Sequence, residues 1–334
     1  MMNKKLLALA IGAVAALPAT VLAAGPTLYG QIHVSLESVE DDIGLTYNDL
    51  SGTAGDEGWV LRDNASRIGV RGEADTGVAG LKGIYQAEYG TDATGEAGPF
   101  SQRNIFVGLQ GGFGTLRLGK FDTPLKEAQG TIDQFDDTVL DMASHVANES
   151  RPNNSIGYTS PKLGELVTIN VSVIPGEATG TDDGIADFTS ISAVLANEGL
   201  YVAVAVDSEI ENESMGSADG LTAIPVDATR FVAGYAADTF EAGLLYQTAE
   251  DSNGAGEDTS IVLSGAFISG DWKFKATYGM TEGDTTDEEI TQLALGADYA
   301  LGKSTTVNAL FGIGEVDSTG DEATIFGVGL KQKF

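Results

Sequence analysis

Apolar and polar residues alternate with a period of two along most of the chain. Near the C-terminal end Thr324, Phe326, Val328, Leu330, Gln332 and Phe334 share one phase, and Ile325, Gly327, Gly329, Lys331 and Lys333 share the other. Trp272, Phe274, Ala276, Tyr278 and Met280 alternate with Lys273, Lys275, Thr277 and Gly279 in the same way, and residues 240–247 and 292–299 repeat the pattern. A period of two puts successive side chains on opposite faces of a strand, so these stretches predict strands with one apolar face. Sixteen are expected, near residues 27–37, 65–74, 80–91, 101–109, 114–121, 153–161, 164–174, 187–196, 198–208, 227–237, 238–248, 257–268, 270–280, 288–300, 302–314 and 323–334.

A soluble sandwich also alternates, with its apolar face inward. Three features favour a barrel in a membrane. The segments run to about 10 residues, the length a tilted strand needs to cross a bilayer. Tyr29, Tyr89, Tyr201, Tyr246, Tyr278, Tyr299 and Phe334 stand near segment ends, where interfacial aromatic girdles form. Tight connections at 236–238, 269–271 and 300–302 alternate with long polar ones at 41–63, 122–150, 175–187 and 209–227. Beyond the N-terminal region the longest apolar run is 200–206, far short of a helical span, which leaves a closed barrel as the way into a bilayer. The expected fold is therefore all-β, a transmembrane antiparallel β-barrel of sixteen strands.

The N-terminus adds a compartment. Lys4 and Lys5 precede an apolar stretch at 6–17, and Val21 and Ala23 supply small residues at a cleavage site. Residues 1–23 read as a signal peptide and 24–334 as a single barrel domain. The chain has no cysteine, so it is stable without disulfides. Its net charge of −31 argues against nucleic acid as a partner and favours cations near its surface. A hydrophobic content of 42%, patterned as it is, excludes a disordered acidic chain.

Several stretches in order resemble the general, non-specific porins of Gram-negative outer membranes. They are residues 27–32 (Thr-Leu-Tyr-Gly-Gln-Ile), 64–72, 80–88, 103–108 and 112–120, then 122–126 (Asp-Thr-Pro-Leu-Lys), 154–161 and the terminal Phe334. The family often has a basic residue where Gly157 stands, and Gln332 replaces a commoner apolar residue. The resemblance implies an outer-membrane channel for passive diffusion of small hydrophilic solutes and ions, assembled as a homotrimer among outer-membrane lipid and lipopolysaccharide. It implies a third loop folded into the lumen, and Phe334 as the aromatic that barrel-assembly machinery selects.

A diffusion pore needs a wet lumen, a constriction and a field rather than reaction chemistry, so no enzyme activity, cofactor or metal is expected. Arg67, Arg71, Lys82, Arg103 and Arg117 fall on the early strands, Arg67 and Arg71 opposite Ile68 and Val70, and Lys82 opposite Leu81 and Tyr85. A basic group facing lipid at mid-depth costs roughly 2–4 kcal/mol, so these should line the pore. Glu127, Asp133, Asp136 and Asp137, with Asp122, Asp141 and Glu149, lie on the third loop. As the family's loop is placed, they would face the arginines and set a transverse field. With the acidic composition, this leads to an expected preference for cations.

Other patterns weigh less. His33 and Ser35 have a spacing used by an outer-membrane phospholipase, but they lie on the inner phase, away from lipid. Residues 251–254 partly match a calcium loop, and Ala255 breaks the ligand spacing. Residues 148–150 match a glycosylation sequon only as a pattern. A substrate-specific channel would need a slide of lumen aromatics or a basic ladder throughout. A non-conducting barrel would need bulky inward side chains, whereas Gly69, Gly243, Gly279, Gly296, Gly327 and Gly329 occupy the inner phase.

Overall fold

The computed structural model describes residues 25–41, 58–96, 98–176, 184–214, 217–254, 256–318 and 320–334. The expected leader, residues 1–23, lies outside them. The strands are β1 Thr27–Asp41, β2 Gly58–Asp63, β3 Arg67–Asp75, β4 Leu81–Gly90, β5 Ser101–Gly111, β6 Gly114–Lys120, β7 Ser155–Thr159, β8 Val167–Ile174 and β9 Phe188–Asn197. They continue with β10 Leu200–Glu211, β11 Pro225–Ala236, β12 Phe240–Asp251, β13 Glu257–Ser269, β14 Trp272–Gly283, β15 Glu289–Ala300, β16 Thr305–Val316 and β17 Asp321–Lys333.

From β3 onward each strand pairs antiparallel with the next, and β17 returns to β1 in register from Gln31↔Lys333 to Asp41↔Ala323. The seam is finished by Phe334, whose N–H donates to Gly30 O and whose carbonyl accepts from Gly30 N, both at 3.1 Å. On its other edge β1 pairs β2 through Val34–Val39 and β3 through Thr27–Gln31. β2 and β3 are thus two halves of one stave, and the seventeen strands close a barrel of sixteen staves. The break at 64–66 has a local cause: Ala65 takes a positive φ of 50°, and Ser66 Oγ, rather than a ladder carbonyl, accepts from His33 N at 3.0 Å.

The segment 58–63 was expected to belong to a long polar connection and is instead strand. Its short alternation, Trp59 and Leu61 outward with Arg62 inward on Glu37 at 2.8 Å, was hidden by the acidic and glycine-rich residues before it. The other strands begin and end within a few residues of expectation. No helix of the described residues is long and apolar enough to cross a membrane.

One phase of most staves is apolar and exposed: Leu28, Ile32 and Leu36 on β1, Phe267 on β13, Phe274 on β14, Val328 and Leu330 on β17. So large a continuous apolar surface belongs against hydrocarbon. Rings meet at its edge near the short turns, Trp272 on Tyr299 at 4.7 Å and Tyr235 on Phe240 at 5.8 Å. Two expected girdle residues face the other way. Tyr29 and Tyr201 point inward, donating to Glu88 Oε2 and Ala128 O, each at 2.9 Å. Position along a strand sets depth, but only parity sets the face, and both tyrosines share the parity of inward neighbours such as Gln31 and Ala203.

Candidate functional site

The connection between β6 and β7 carries its own frame. Thr123 caps the short helix α1, Pro124–Glu127, its Oγ1 accepting from Lys126 N at 3.1 Å, and Pro124 opens the helix where no N–H is needed. The Asp133 carboxylate accepts from Phe135 N at 2.7 Å and Met142 N at 2.9 Å. The Asp141 carboxylate accepts from Ala143 N at 2.9 Å and Asp137 N at 3.0 Å.

This segment packs against inward-facing side chains of the barrel in two apolar clusters. Leu125, Ile132, Met142 and Val146 meet Ala203, Val226, Val232, Leu245 and Val262. Phe135, Val139 and Leu140 meet Val39, Ala294, Leu310 and Ile325. Between the clusters Gln292 Nε2 donates to Ser144 Oγ at 2.9 Å and Thr281 Oγ1 to His145 O at 2.6 Å. Arg230 is fully buried here, paired with Glu149 at 2.5 Å. Its other N–H groups reach Leu125 O and Ala147 O, both at 3.3 Å, and Gln247 Oε1 at 2.7 Å. A buried guanidinium this fully satisfied ties strand β11 to both ends of the connection.

The inward glycines have a different meaning from the one expected of an open lumen. A Cβ at Gly243 would lie 2.6 Å from Ile132, at Gly279 1.9 Å from His145, at Gly296 2.9 Å from Phe135 and at Gly69 2.5 Å from the Tyr29 ring. Gly327 and Gly329 are similarly filled by Glu37 and Asn308. These are sockets for side chains, so small inward residues do not by themselves report empty space. Gly157, where the family often has a basic residue, lies under the Phe121 ring.

The basic wall stands on β3 to β6, beside this packed segment. Arg67 Nη1 donates to Asp137 Oδ1 at 2.7 Å and Arg117 Nη1 to Glu127 Oε1 at 3.2 Å, joining wall to connection. Burial raises the Asp137 carboxyl, but the Arg67 charge and hydrogen bond outweigh it and hold it at about 2. Arg103 pairs with Glu88 at 2.8 Å, and Lys82 pairs with Glu73 in the open. Arg71 stacks on Tyr29, 4.8 Å from its centroid, with no carboxylate within 4.0 Å among the described residues. Arg117 lies over the inward rings of Phe106 and Phe121 at 5.6 and 4.5 Å. Of the acids read from sequence, Asp137 and Glu127 meet the wall, Asp136 is exposed, and Asp133 is consumed by its own backbone.

Sequence reasoning missed Arg230–Glu149, Arg62–Glu37, Arg151–Asp122 at 2.7 Å and Lys273–Glu241 at 2.8 Å. Parity would have flagged Arg230, a charge on an inward phase otherwise made of Ala228 and Val232. His33 and Ser35 face inward but bond elsewhere, His33 Nε2 to Asn308 at 2.9 Å and Ser35 Oγ to Glu37 at 2.6 Å. Asp251 accepts from Asn253 N at 2.9 Å in a local turn. Among the described residues no group of three or more His, Cys, Asp or Glu is placed to hold a metal. Residues 148–150 are buried.

A family model described as Gram-negative porin matches residues 7–321. A major outer membrane protein P.IB of Neisseria lactamica is 27% identical over the full length of both chains. Among solved structures, an anion-selective porin from Comamonas acidovorans superposes with a TM-score of 0.76 at 21% identity, covering 92% of this chain and 99% of that one. The trimer form of OmpT of Vibrio cholerae gives 0.68 at 17% identity, over 92% and 99%. A sixteen-stave barrel with an apolar outer band and a charged inner wall, matched by that model along nearly its whole length, belongs to the Gram-negative porin family and is an outer-membrane channel.

Proposed function

We propose that the channel passes small hydrophilic solutes and ions by passive diffusion, through a gap between the 122–150 connection and the arginine face of β3 to β6. The observation that carries this reading is the Arg67–Asp137 pair, which sets a wall cation against an acid of the connection at 2.7 Å. Arg71, Lys82, Arg103 and Arg117 extend the wall, and Glu127 and Asp136 the opposing side. Opposed charges across a narrow, low-dielectric gap orient dipolar solutes.

Cation preference is the proposed sign, because net charge is −31 and the long connections carry much of it. A second reading has support from Arg71 and Lys331, inward cations with no carboxylate within 4.0 Å among the described residues; the Comamonas neighbour is described as anion-selective. Planar-bilayer recording under a salt gradient decides between them by the sign of the reversal potential. Replacing Asp133, Asp136 and Asp137 by Asn should move that potential toward anions, through Asp136 and Asp137 chiefly. An unmoved potential would place these residues outside the permeation path. The same reading includes a homotrimer, testable by cross-linking in native membranes, removal of residues 1–23, and Phe334 as the assembly signal.

A further inference from the structure

Charged residues are sorted along the barrel axis on one side of the molecule. From residue 163 onward the bases are Arg230, Lys273, Lys275, Lys303, Lys331 and Lys333. Arg230 is sealed against Glu149. The other five all lie at the short-turn end. Lys273 and Lys275 open β14, Lys303 sits between β15 and β16, and Lys331 and Lys333 close β17. There they are balanced by Asp238, Glu241, Asp271 and Asp298, with Lys273 on Glu241 at 2.8 Å and Lys275 on Asp298 at 3.2 Å.

The opposite ends of the same strands have no such balance. Residues 209–229, 248–262, 281–292 and 313–325 contain no lysine or arginine. They carry acids such as Glu250, Asp284, Asp287 and Glu315, all exposed. The early staves do not cancel this. Of their bases near that end, Arg62 and Arg151 are paired with Glu37 and Asp122, and Lys126 lies 3.8 Å from Asp122. Lys120, bonded to Asn153, is the one with no carboxylate within 4.0 Å among the described residues.

A pore with unbalanced negative charge at one mouth and balanced charge at the other holds excess cations at the first mouth only. When that mouth is positive, cations are driven from it toward the neutral end, while anions arriving from the neutral end are turned back. Both accumulate inside and conductance rises. The opposite polarity empties the same region. We infer that the channel rectifies, conducting better when the long-connection side is positive. This rests on the reading of the chain as an open pore.

Single channels in symmetric dilute potassium chloride test it. At about 0.03 M salt the current with the long-connection side positive should be roughly 1.5–2 times that at reversed polarity, falling toward equality near 1 M, where screening acts over about 3 Å. Orientation is read with Asp287→Cys, the sole thiol in a chain without cysteine, modified from one side by an impermeant reagent. The exposed triple variant Glu250→Gln, Asp284→Asn, Glu315→Gln should conduct with a ratio closer to one. Equal currents at low salt in a conducting channel, or an unchanged ratio in the triple variant, would overturn the inference and leave the pore reading standing. Absence of any conductance would overturn both.

Discussion

The walls on the two sides of the barrel solve different problems with the same strand pattern. The inner face of β3 to β6 carries Arg67, Arg71, Lys82, Arg103 and Arg117, satisfied by Glu73, Glu88, Glu127, Asp137 and the Tyr29 ring. The inner face of β10 to β17 instead presents Ala203, Val226, Val232, Leu245, Val262, Ala294, Leu310 and Ile325, all buried. Apolar residues facing a wet lumen would be a waste of burial. Here they lie under Leu125, Ile132, Phe135, Leu140 and Met142. The lesson is that inward apolar parity in a barrel marks where a segment rests, and inward charge marks where water remains.

The comparison can be broken most sharply at Arg230–Glu149, an ion pair buried more deeply than Arg62–Glu37. Arg230→Met should lower the urea midpoint of the folded barrel in detergent by the equivalent of about 3–5 kcal/mol, because Glu149 would be left buried without a partner. A change under about 1 kcal/mol would mean that the pair does not anchor the connection. Next comes Phe135→Ala, which empties the Gly296 socket beneath a ring that is fully buried. We expect a loss of about 3 kcal/mol together with larger or noisier single-channel currents. Unchanged conductance would separate packing from the permeation path.

On the arginine side effects should be smaller, since water screens them. A double-mutant cycle of Arg67→Gln and Asp137→Asn should give a coupling of about 1–2 kcal/mol in urea unfolding; additive effects would refute a working pair. pH sharpens the same point. Asp137 has its pKa lowered from an ordinary 3.8 to about 2 by Arg67. Its stabilisation is therefore fully present above the ordinary value and lost as pH falls toward 2. The gap in urea midpoint between wild type and Asp137→Asn should close over that window, and a constant gap would contradict the assignment. The smallest effect belongs to Arg71→Gln. Stability should shift by no more than about 0.5 kcal/mol, while reversal potentials move toward cations.

The strands were legible from sequence because a period of two is a local property, and an apolar face is compulsory at a lipid boundary. Even the sixteen-stave closure followed from spacing, the one miss being residues 58–63, whose alternation is too short to stand out beside an acidic stretch. The site was half legible. Parity placed Arg67, Arg71, Lys82 and Arg117 inward. Arg103 instead shares the parity of the outward Val107 and Leu109, and reaches Glu88 only through the register shift between Ala87↔Ile105 and Tyr89↔Gln102. Parity also gave no partners, and Arg67–Asp137 joins residues 70 apart in sequence. Asp133 and Asp137 look alike in sequence. One is spent on the N–H groups of Phe135 and Met142, and the other meets the wall.

What the sequence determined by itself, then, was the strand pattern, the face each side chain takes, the acidic balance and the resemblance that named the family. The tertiary structure alone decided which inward residues are covered. Tyr29, Tyr201, the inward glycines and Arg230 acquire their roles only when the 122–150 connection meets staves far away in the chain. Alternation is written residue by residue, whereas a socket exists only where two distant segments come to the same place.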